Sequence, residues 1–141
     1  MIIGSHVHFK DKQILDSVKE AILYNANTFM FYTGAPQNTN RGIILDELTM
    51  EAYKLMKENN IALEKVIVHA PYIVNLANFN NFDFSVSFLI NEVERCSTLG
   101  IKYLVLHPGS AVNCSREEAI NNISKGLNLI LDNDYNVTIL L

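Results

Sequence analysis

The sequence predicts an α/β protein in which short parallel strands alternate with helices. Three observations support this fold class: short apolar runs rich in β-branched and aromatic residues recur, segments with helical spacing separate them, and polar, glycine or proline residues bound each run. Buried parallel strands are almost continuously hydrophobic, whereas an amphipathic helix places an apolar residue every three or four positions. With 141 residues, the chain is long enough for one domain with a core and too short for two comfortable ones.

Five apolar runs are predicted as strands because each is short and nearly uninterrupted. They are Ile2–Val7, Thr28–Tyr32, Lys65–His69, Tyr103–His107 and Val137–Leu141. Strands that are separated by helices pair in parallel through right-handed crossovers. Half of a (β/α)₈ barrel and an open, doubly wound sheet both satisfy this pattern, and the spacing of the strands does not choose between them.

Four amphipathic helices are predicted between the strands, each with one apolar face. The faces are formed by Ile14, Val18, Ala21 and Ile22; by Leu48, Ala52, Leu55 and Met56; by Leu89, Val93 and Cys96; and by Ile120, Ile123, Leu127 and Ile130. Ser115 and Glu118 have the spacing of a capping box, which predicts that the last helix begins after Ser115. Gly100 stands where a helix is commonly followed by glycine, so the third helix is expected to end before it.

The composition is typical of a soluble globular protein in a reducing cytoplasm. No apolar run approaches the roughly 20 residues that span a bilayer, and the N-terminus lacks the basic and hydrophobic leader of a secreted protein. Cys96 and Cys114 lie far apart, so we expect no disulfide, with Cys96 buried on its helix. The net charge of −4 argues mildly against nucleic-acid binding, which needs Lys and Arg, although bound metal ions can offset it.

Histidine recurs at the ends of the predicted strands. His6 and His8 follow the first strand, His69 ends the third and His107 ends the fourth. In barrels the ligands and catalytic groups come from the carboxyl ends of several strands. Neutral imidazole is the commonest metal ligand, but a lone histidine is more often a hydrogen-bonded structural residue. From the residues alone, a metal site and a structural role remain equally open.

Other catalytic chemistries lack their motifs in this chain. There is no glycine-rich phosphate loop, no Gly-x-Ser-x-Gly elbow and no Cys-x-x-Cys pair. The segment 34–41 is polar and long enough to be a functional loop, although a solvated connection is the simpler interpretation.

Four motifs occur in order along the chain. They are Gly4-Ser5-His6-Val7, Phe31-Tyr32-Thr33-Gly34-Ala35-Pro36-Gln37-Asn38-Thr39, Val68-His69-Ala70-Pro71-Tyr72-Ile73-Val74-Asn75 and Val105-Leu106-His107-Pro108-Gly109-Ser110. Together they closely resemble the N-terminal half of the endonuclease IV family of apurinic/apyrimidinic (AP) endonucleases. The resemblance runs along the whole chain. It implies a (β/α)₈ TIM barrel, of which residues 1–141 would form the first five strands and four helices of a single domain.

The resemblance implies a zinc site. In this family the mouth of the barrel holds a cluster of three zinc ions bound by His, Asp and Glu. His69 and His107 would be ligands of one of these ions, and no catalytic residue beyond the metal ligands can be assigned. His6 matches a position beside the metal site, where it would support the ligands or bind a phosphate. Imidazole suits zinc because it binds in its neutral form.

The resemblance also implies double-stranded DNA with abasic sites as the partner. Tyr72 and Ile73 would belong to a loop that enters the minor groove and replaces the flipped-out abasic nucleotide, since such side chains can wedge between base steps. Gln37, Asn38 and Arg41 would contact DNA from a second loop, although some branches of the family carry arginine where Gln37 stands. The implied reaction is zinc-dependent hydrolysis of the phosphodiester 5′ to the abasic site, a step of base excision repair. No membrane and no obligate protein partner are implied.

The family also leads us to expect a truncated sequence. Its fifth strand is followed by a glutamate that binds zinc, and this chain ends at that point, after Val137–Leu141. The remaining ligands would lie in a second half of the barrel. A barrel cut here exposes strand edges and an apolar interior, so we expect the 141-residue chain to be inactive by itself.

Two alternatives remain open. A sugar isomerase or epimerase of the xylose isomerase-like superfamily would share the layout and use one divalent metal, but it would not need Tyr72 at an exposed loop tip. A non-catalytic half-barrel fragment is the second alternative.

Overall fold

In the computed structural model, which describes all residues from Met1 to Leu141, five strands alternate with four helices. The strands are β1 (Gly4–His6), β2 (Thr28–Phe31), β3 (Ile67–His69), β4 (Tyr103–Val105) and β5 (Thr138–Leu140). The helices are α1 (Ile14–Leu23), α2 (Asp46–Glu58), α3 (Phe82–Thr98) and α4 (Arg116–Leu131). Single turns of 3-10 helix at Leu63–Lys65 and Phe79–Asn81 precede β3 and α3.

The five strands form one parallel sheet in the order β1-β2-β3-β4-β5. A doubly wound sheet reverses its strand order at a switch point, whereas a barrel adds each new strand beside the last one. The sequential order therefore confirms the barrel architecture and excludes the open sheet. Because all five strands run in the same direction, their carboxyl ends lie along a single edge.

The strands are shorter than the apolar runs that predicted them. Each contains three or four residues, but the ladder of hydrogen bonds continues beyond them. Val7 donates its N–H to Met30 and Leu106 donates its N–H to Leu140, both at 2.8 Å. The apolar residues just beyond the strands, such as Val7 and Leu106, therefore connect the sheet to the loop that follows each strand.

The two faces of the sheet differ in burial. Phe29, Phe31, Val68 and Leu104 point towards the helices and are almost completely buried in one hydrophobic core. The residues that alternate with them, such as Met30, are only partly buried. The core therefore lies between the sheet and the helices, and the other face carries partly exposed side chains towards the axis of the barrel.

The predicted apolar faces are confirmed for three helices and need one correction in α4. Ile120 is 53% exposed and does not belong to the buried face, which runs through Ala119, Gly126 and Ile130. Gly126 determines this rotation, because a Cβ at that position would lie 2.9 Å from Cδ2 of Leu76. The helix therefore approaches the loop after β3 through its glycine. No helix combines the length and the apolar character that crossing a membrane requires.

The predicted helix ends are confirmed. The side chain of Ser115 accepts a hydrogen bond from the N–H of Glu118 at 3.2 Å, and the Glu118 carboxylate accepts one from the N–H of Ser115 at 2.7 Å. Gly100 follows Leu99, the C-cap residue of α3, and has a φ of +62°. This left-handed conformation favours glycine, so the residue ends the helix without strain.

Both cysteines are free, and their surroundings differ. Cys96 is fully buried on α3, and burial raises the pKa of its thiol. Cys114 is half-buried before α4, with its sulfur 3.9 Å from the carbonyl oxygen of Ala77.

Replacing Ser115 by alanine removes the acceptor for the N–H of Glu118. We expect the free energy of unfolding to fall by about 1 kcal/mol, the usual cost of losing an N-cap side chain. Ser124→Ala is the matched control, since Ser124 is exposed within the same helix. Urea denaturation of both variants measures the difference, and equal effects would show that the capping box does not stabilise α4.

Candidate metal and nucleic-acid site

Four aromatic rings lie in a row along the carboxyl edge of the sheet. His6 ends β1, Tyr32 follows β2, His69 ends β3 and His107 follows β4. The ring centroids are 4.6 Å apart for His6 and Tyr32, 5.1 Å for Tyr32 and His69, and 5.1 Å for His69 and His107. The parallel register thus brings together residues that lie far apart in the sequence. We call these four residues the ring row.

The hydrogen bond of His69 fixes its tautomer. Nδ1 of His69 lies 2.6 Å from the carbonyl oxygen of Ala70. Because a carbonyl oxygen only accepts, Nδ1 is the donor in this hydrogen bond, and Nε2 is the nitrogen that can bind a ligand when the ring carries one proton. Ala70 is itself held in place, since its N–H donates to the carbonyl of Val105 at 2.8 Å. A ligand histidine whose second nitrogen is hydrogen-bonded in this way is typical of metal sites.

His6 and His8 lie in different surroundings although they are close in sequence. Partial burial and then the neighbouring His69 lower the pKa of His6, although its side chain is still exposed. His8 lies outside the ring row: its side chain is 71% exposed and its Nδ1 is 3.0 Å from the Glu20 carboxylate. This arrangement assigns His6 to the ring row and leaves His8 at the outer surface.

His69 and His107 are the pair in the ring row for which the family resemblance implies metal binding. Imidazole is a suitable zinc ligand, and the hydrogen bond at Nδ1 of His69, which leaves Nε2 for a ligand, agrees with such a role. No group of three His, Cys, Asp or Glu side chains in the chain is arranged to hold a metal ion. Catalytic zinc sites normally have three protein ligands. The two histidines therefore fit part of a zinc site, not a complete one.

Tyr72 and Ile73 follow β3 and differ in their exposure to solvent. The side chain of Tyr72 is 61% exposed, whereas Ile73 is half-buried and packs against the hydrophobic core. Pro71 before them is buried. The loop therefore presents one large aromatic side chain to the surroundings, with an aliphatic one anchored beside it.

Asn75 joins the loop that carries Tyr72 to the loop that follows His107. Its side-chain amide donates to the carbonyl of Ser110 at 3.1 Å, and its Oδ1 accepts from the N–H of Ser110 at 3.2 Å. The N–H of Leu76 donates to the carbonyl of Pro108 at 2.9 Å. The two loops therefore hold each other in place, although the sequence analysis did not single out Asn75.

The loop between β2 and α2 carries Gln37 and Asn38 at its exposed tip. Oδ1 of Asn38 accepts from the N–H of Asn40 at 3.0 Å, which shapes a tight turn there. Between this loop and the segment after β1 lies a cleft of about 380 Å³. It opens beside the ring row and is lined by His6, Val7, His8, Phe9, Lys10, Tyr32, Gly34, Ala35, Pro36 and Gln37.

Arg41 has a different position from the one expected of a DNA contact. Its side chain is only 6% exposed, and its Nε donates to the Glu92 carboxylate at 2.5 Å. Its guanidinium carbon lies 4.9 Å from the centre of the Phe88 ring. The guanidinium therefore faces the protein, and the structure does not support a direct contact with a ligand. Glu92 could have indicated this burial from the sequence. It is a carboxylate on the apolar face that Leu89, Val93 and Cys96 form, and such a residue needs a buried cationic partner.

Comparison with known proteins agrees with this architecture. The model of the family described as xylose isomerase-like TIM barrel matches residues 18–141. The "Probable endonuclease 4" of Acholeplasma laidlawii is 53% identical over 146 residues, which cover 100% of this chain and 50% of the relative. Endonuclease IV from Thermus thermophilus has a TM-score of 0.74 and 23% identity, with 92% of this chain and 46% of that chain covered. A D-tagatose 3-epimerase-like protein has a TM-score of 0.66 and 17% identity, with coverages of 97% and 51%.

The chain belongs to the xylose isomerase-like TIM-barrel family. Within that family it is similar along its whole length to the proteins named endonuclease 4, which confirms the resemblance that the four motifs indicated. The chain spans about half the length of the curated relatives it matches. The two structural likenesses, at their low identities, establish the fold alone.

Replacing Gly109 by alanine tests the junction between the two loops. Gly109 has a φ of +131°, and a Cβ would lie 2.0 Å from Oδ1 of Asn75. We expect a loss of about 2 kcal/mol or more in the free energy of unfolding, because the backbone is strained and Asn75 must move.

Gly42→Ala is the matched control, since a Cβ there meets no atom within 4 Å. It is expected to change stability by less than about 1 kcal/mol. Urea denaturation compares the two variants, and similar stabilities would contradict the tight contact between Gly109 and Asn75.

Proposed function

We propose that this chain provides part of the metal- and DNA-binding face of an AP endonuclease. The reaction is hydrolysis of the phosphodiester 5′ to an abasic site in double-stranded DNA, within base excision repair. The proposal rests on the positions of His69 and His107 at the carboxyl edge, where their ring centroids are 5.1 Å apart. Tyr72 is exposed on the loop that follows His69. The similarity to proteins named endonuclease 4 supports it.

His69 and His107 would bind one zinc ion through their imidazoles. The hydrogen bond to Ala70 orients the His69 ring and leaves its Nε2 available. Bound zinc supplies Lewis-acid chemistry, in which it activates water and stabilises charge on the phosphate. Three zinc ions are expected in the complete enzyme, so the other ligands would come from residues outside 1–141. With only two candidate ligands, the 141-residue chain is not expected to cleave DNA by itself.

His6 supports the pair from the next position in the ring row. Its ring centroid is 6.3 Å from that of His69, and its lowered pKa favours the uncharged form. A neutral imidazole donates one hydrogen bond and does not repel a neighbouring metal ion. We therefore assign His6 the role of binding a phosphate oxygen or ordering the ligands, rather than that of a charged phosphate contact.

Tyr72 is the side chain best placed to enter DNA. An exposed aromatic ring can stack on the bases beside an abasic site, where no base is left to oppose it. Ile73, which packs against the core, would anchor the loop next to Tyr72 and so fix the position of the tyrosine ring. Stacking does not depend on basic residues, so this mode of binding is compatible with the net charge of −4.

Gln37 and Asn38 would contact DNA from the loop after β2. Both are exposed at the same carboxyl edge of the sheet, and their amides can donate to phosphate oxygens. Arg41 would act on DNA only through the shape of this loop, because its guanidinium is buried against Glu92. A sugar isomerase or epimerase shares this fold, but no contact in the chain favours that activity over binding of DNA through Tyr72.

Replacing His69 or His107 by alanine tests the metal site. In the complete gene product we expect less bound zinc and a rate of abasic-site cleavage at least about 100-fold lower, since residues that merely support a metal ligand already contribute about 10- to 100-fold. His8→Ala is the control, because its exposed ring pairs with Glu20 instead. Metal analysis and a nicking assay measure both effects. Zinc content that stays at the parent level in the His69 and His107 variants would remove these residues from the site.

Replacing Tyr72 by alanine tests DNA recognition. We expect binding to a duplex with an abasic site to weaken by about 5- to 150-fold, because base–aromatic stacking contributes about 1–3 kcal/mol. Tyr72→Phe retains the ring and should bind almost normally. Tyr24→Ala is a second control, since Tyr24 is also exposed but lies before β2, at the opposite edge of the sheet. Fluorescence anisotropy compares the variants, and a Tyr72→Ala protein with parental affinity would refute the stacking role.

A further inference from the structure

We infer that Glu92, buried on α3, positions the loop after β2 for DNA binding. The inference rests on the proposed function of that loop. It concerns four residues that we call the Glu92 network: Thr33, Arg41, Glu92 and Arg95. None of them is at the loop tip, and together they determine the conformation in which the tip is presented.

Glu92 is the centre of the network. It is completely buried, and both of its carboxylate oxygens are used. Oε2 accepts from the hydroxyl of Thr33 at 2.7 Å, and Oε1 accepts from Nε of Arg41 at 2.5 Å. A buried carboxylate requires such partners, because an unpaired charge in the protein interior is very unfavourable.

Arg95 ties the two ends of the loop together. Its guanidinium donates to the carbonyl of Thr33 at 2.9 Å and to the carbonyl of Gly42 at 2.6 Å. Its Nε also lies 3.2 Å from the hydroxyl of Thr33. The segment between Thr33 and Gly42 is therefore closed by one rigid, planar group, which restricts its conformations far more than the chain alone would.

Arg41 fills the inside of the loop. One of its terminal nitrogens, Nη1, lies within hydrogen-bonding distance of the carbonyls of Ala35, Asn38 and Asn40, at 3.3, 3.2 and 2.8 Å. Gly34 lies directly against this group, since a Cβ there would be 2.8 Å from Nη1. The loop has no regular secondary structure, so these bonds replace the backbone pairing that a helix or strand would give.

The charges in the network make Glu92 indispensable. Arg41 pairs directly with the Glu92 carboxylate, whereas Arg95 reaches it through the hydroxyl of Thr33, and the charges of Arg41 and Arg95 repel each other. Burial and then this repulsion lower the pKa of Arg95, whereas Glu92 opposes the shift. Without the negative charge of Glu92, two like charges would remain buried side by side. The loop would then open so that the guanidiniums could reach water.

The consequence is a loop that has its binding shape before DNA arrives. Arg41 occupies inward-facing carbonyls, while Gln37 and Asn38 remain exposed at the tip. A binding loop that is already ordered avoids the entropy cost of ordering it on contact. Apolar side chains could stabilise the core equally well, so a buried ionic network favours a role in fixing one conformation.

The test compares Glu92→Gln with Glu94→Gln in the complete gene product. Glu94 is exposed two residues further along α3, and its carboxylate forms no ion pair or hydrogen bond with the network, so the control makes the same chemical change without removing a bond. Amide hydrogen exchange of residues 34–42 and affinity for an abasic duplex are measured for both variants. We expect Glu92→Gln to raise exchange in the loop by about tenfold or more and to weaken DNA binding by a similar factor, with unchanged zinc content. Glu94→Gln should change neither.

Arg41→Met provides a second variant in case Glu92→Gln does not fold. It keeps an apolar side chain over Phe88 and removes only the guanidinium, while Glu92 retains the bond from Thr33. We expect faster exchange in the loop and weaker DNA binding here as well, with parental exchange in the helices.

The outcomes separate this inference from the proposed function. If the parent binds abasic DNA and a folded variant has a mobile loop but parental affinity, the positioning role is wrong. Parental exchange in the loop of both variants would equally overturn it. If the parent itself does not bind abasic DNA, the proposed function fails and the DNA role of the network fails with it, whatever the exchange shows.

Discussion

The alignment of parallel strand ends is the constraint on which the rest of this structure depends. Each strand pairs with the next one in sequence, and all five run in the same direction. Residues at or just beyond the carboxyl ends of β1, β2, β3 and β4 therefore meet at one edge, where the ring row forms. A shift by one residue of β1, β2, β3 or β4 in these pairings would turn its member of the ring row towards the hydrophobic core.

The loops at this edge are held together by polar contacts in addition to the apolar packing of residues such as Leu76. Asn75 fixes the loops after β3 and β4 to each other, and Glu92 with its two arginines fixes the loop after β2 to α3. Hydrogen bonds have directional geometry, so they specify one loop conformation where apolar contacts would allow several. Tyr72 and Gln37 remain exposed because neighbouring side chains hold these loops in place.

The sequence was sufficient to predict the elements and the residues at the strand ends. Apolar runs, helical stripes and the capping box at Ser115 are local patterns, so they could be read directly. The orientation of α4, with Ile120 outside its buried face, could not be predicted in this way. It depends on how closely Gly126 approaches Leu76, which belongs to a distant segment of the chain. The burial of Arg41 against Glu92 joins residues on different elements for the same reason. Contacts of this kind leave no periodic signal in a single sequence.

The different surroundings of the two cysteines make the protein suitable for site-selective labelling. Burial keeps the thiol of Cys96 protonated and out of reach of reagents, whereas Cys114 is partly accessible. Cys114 contacts Ala77, two residues from the asparagine that joins the loops after β3 and β4. A maleimide dye on Cys114 would therefore report movements of the Tyr72 loop while Cys96 stays in place.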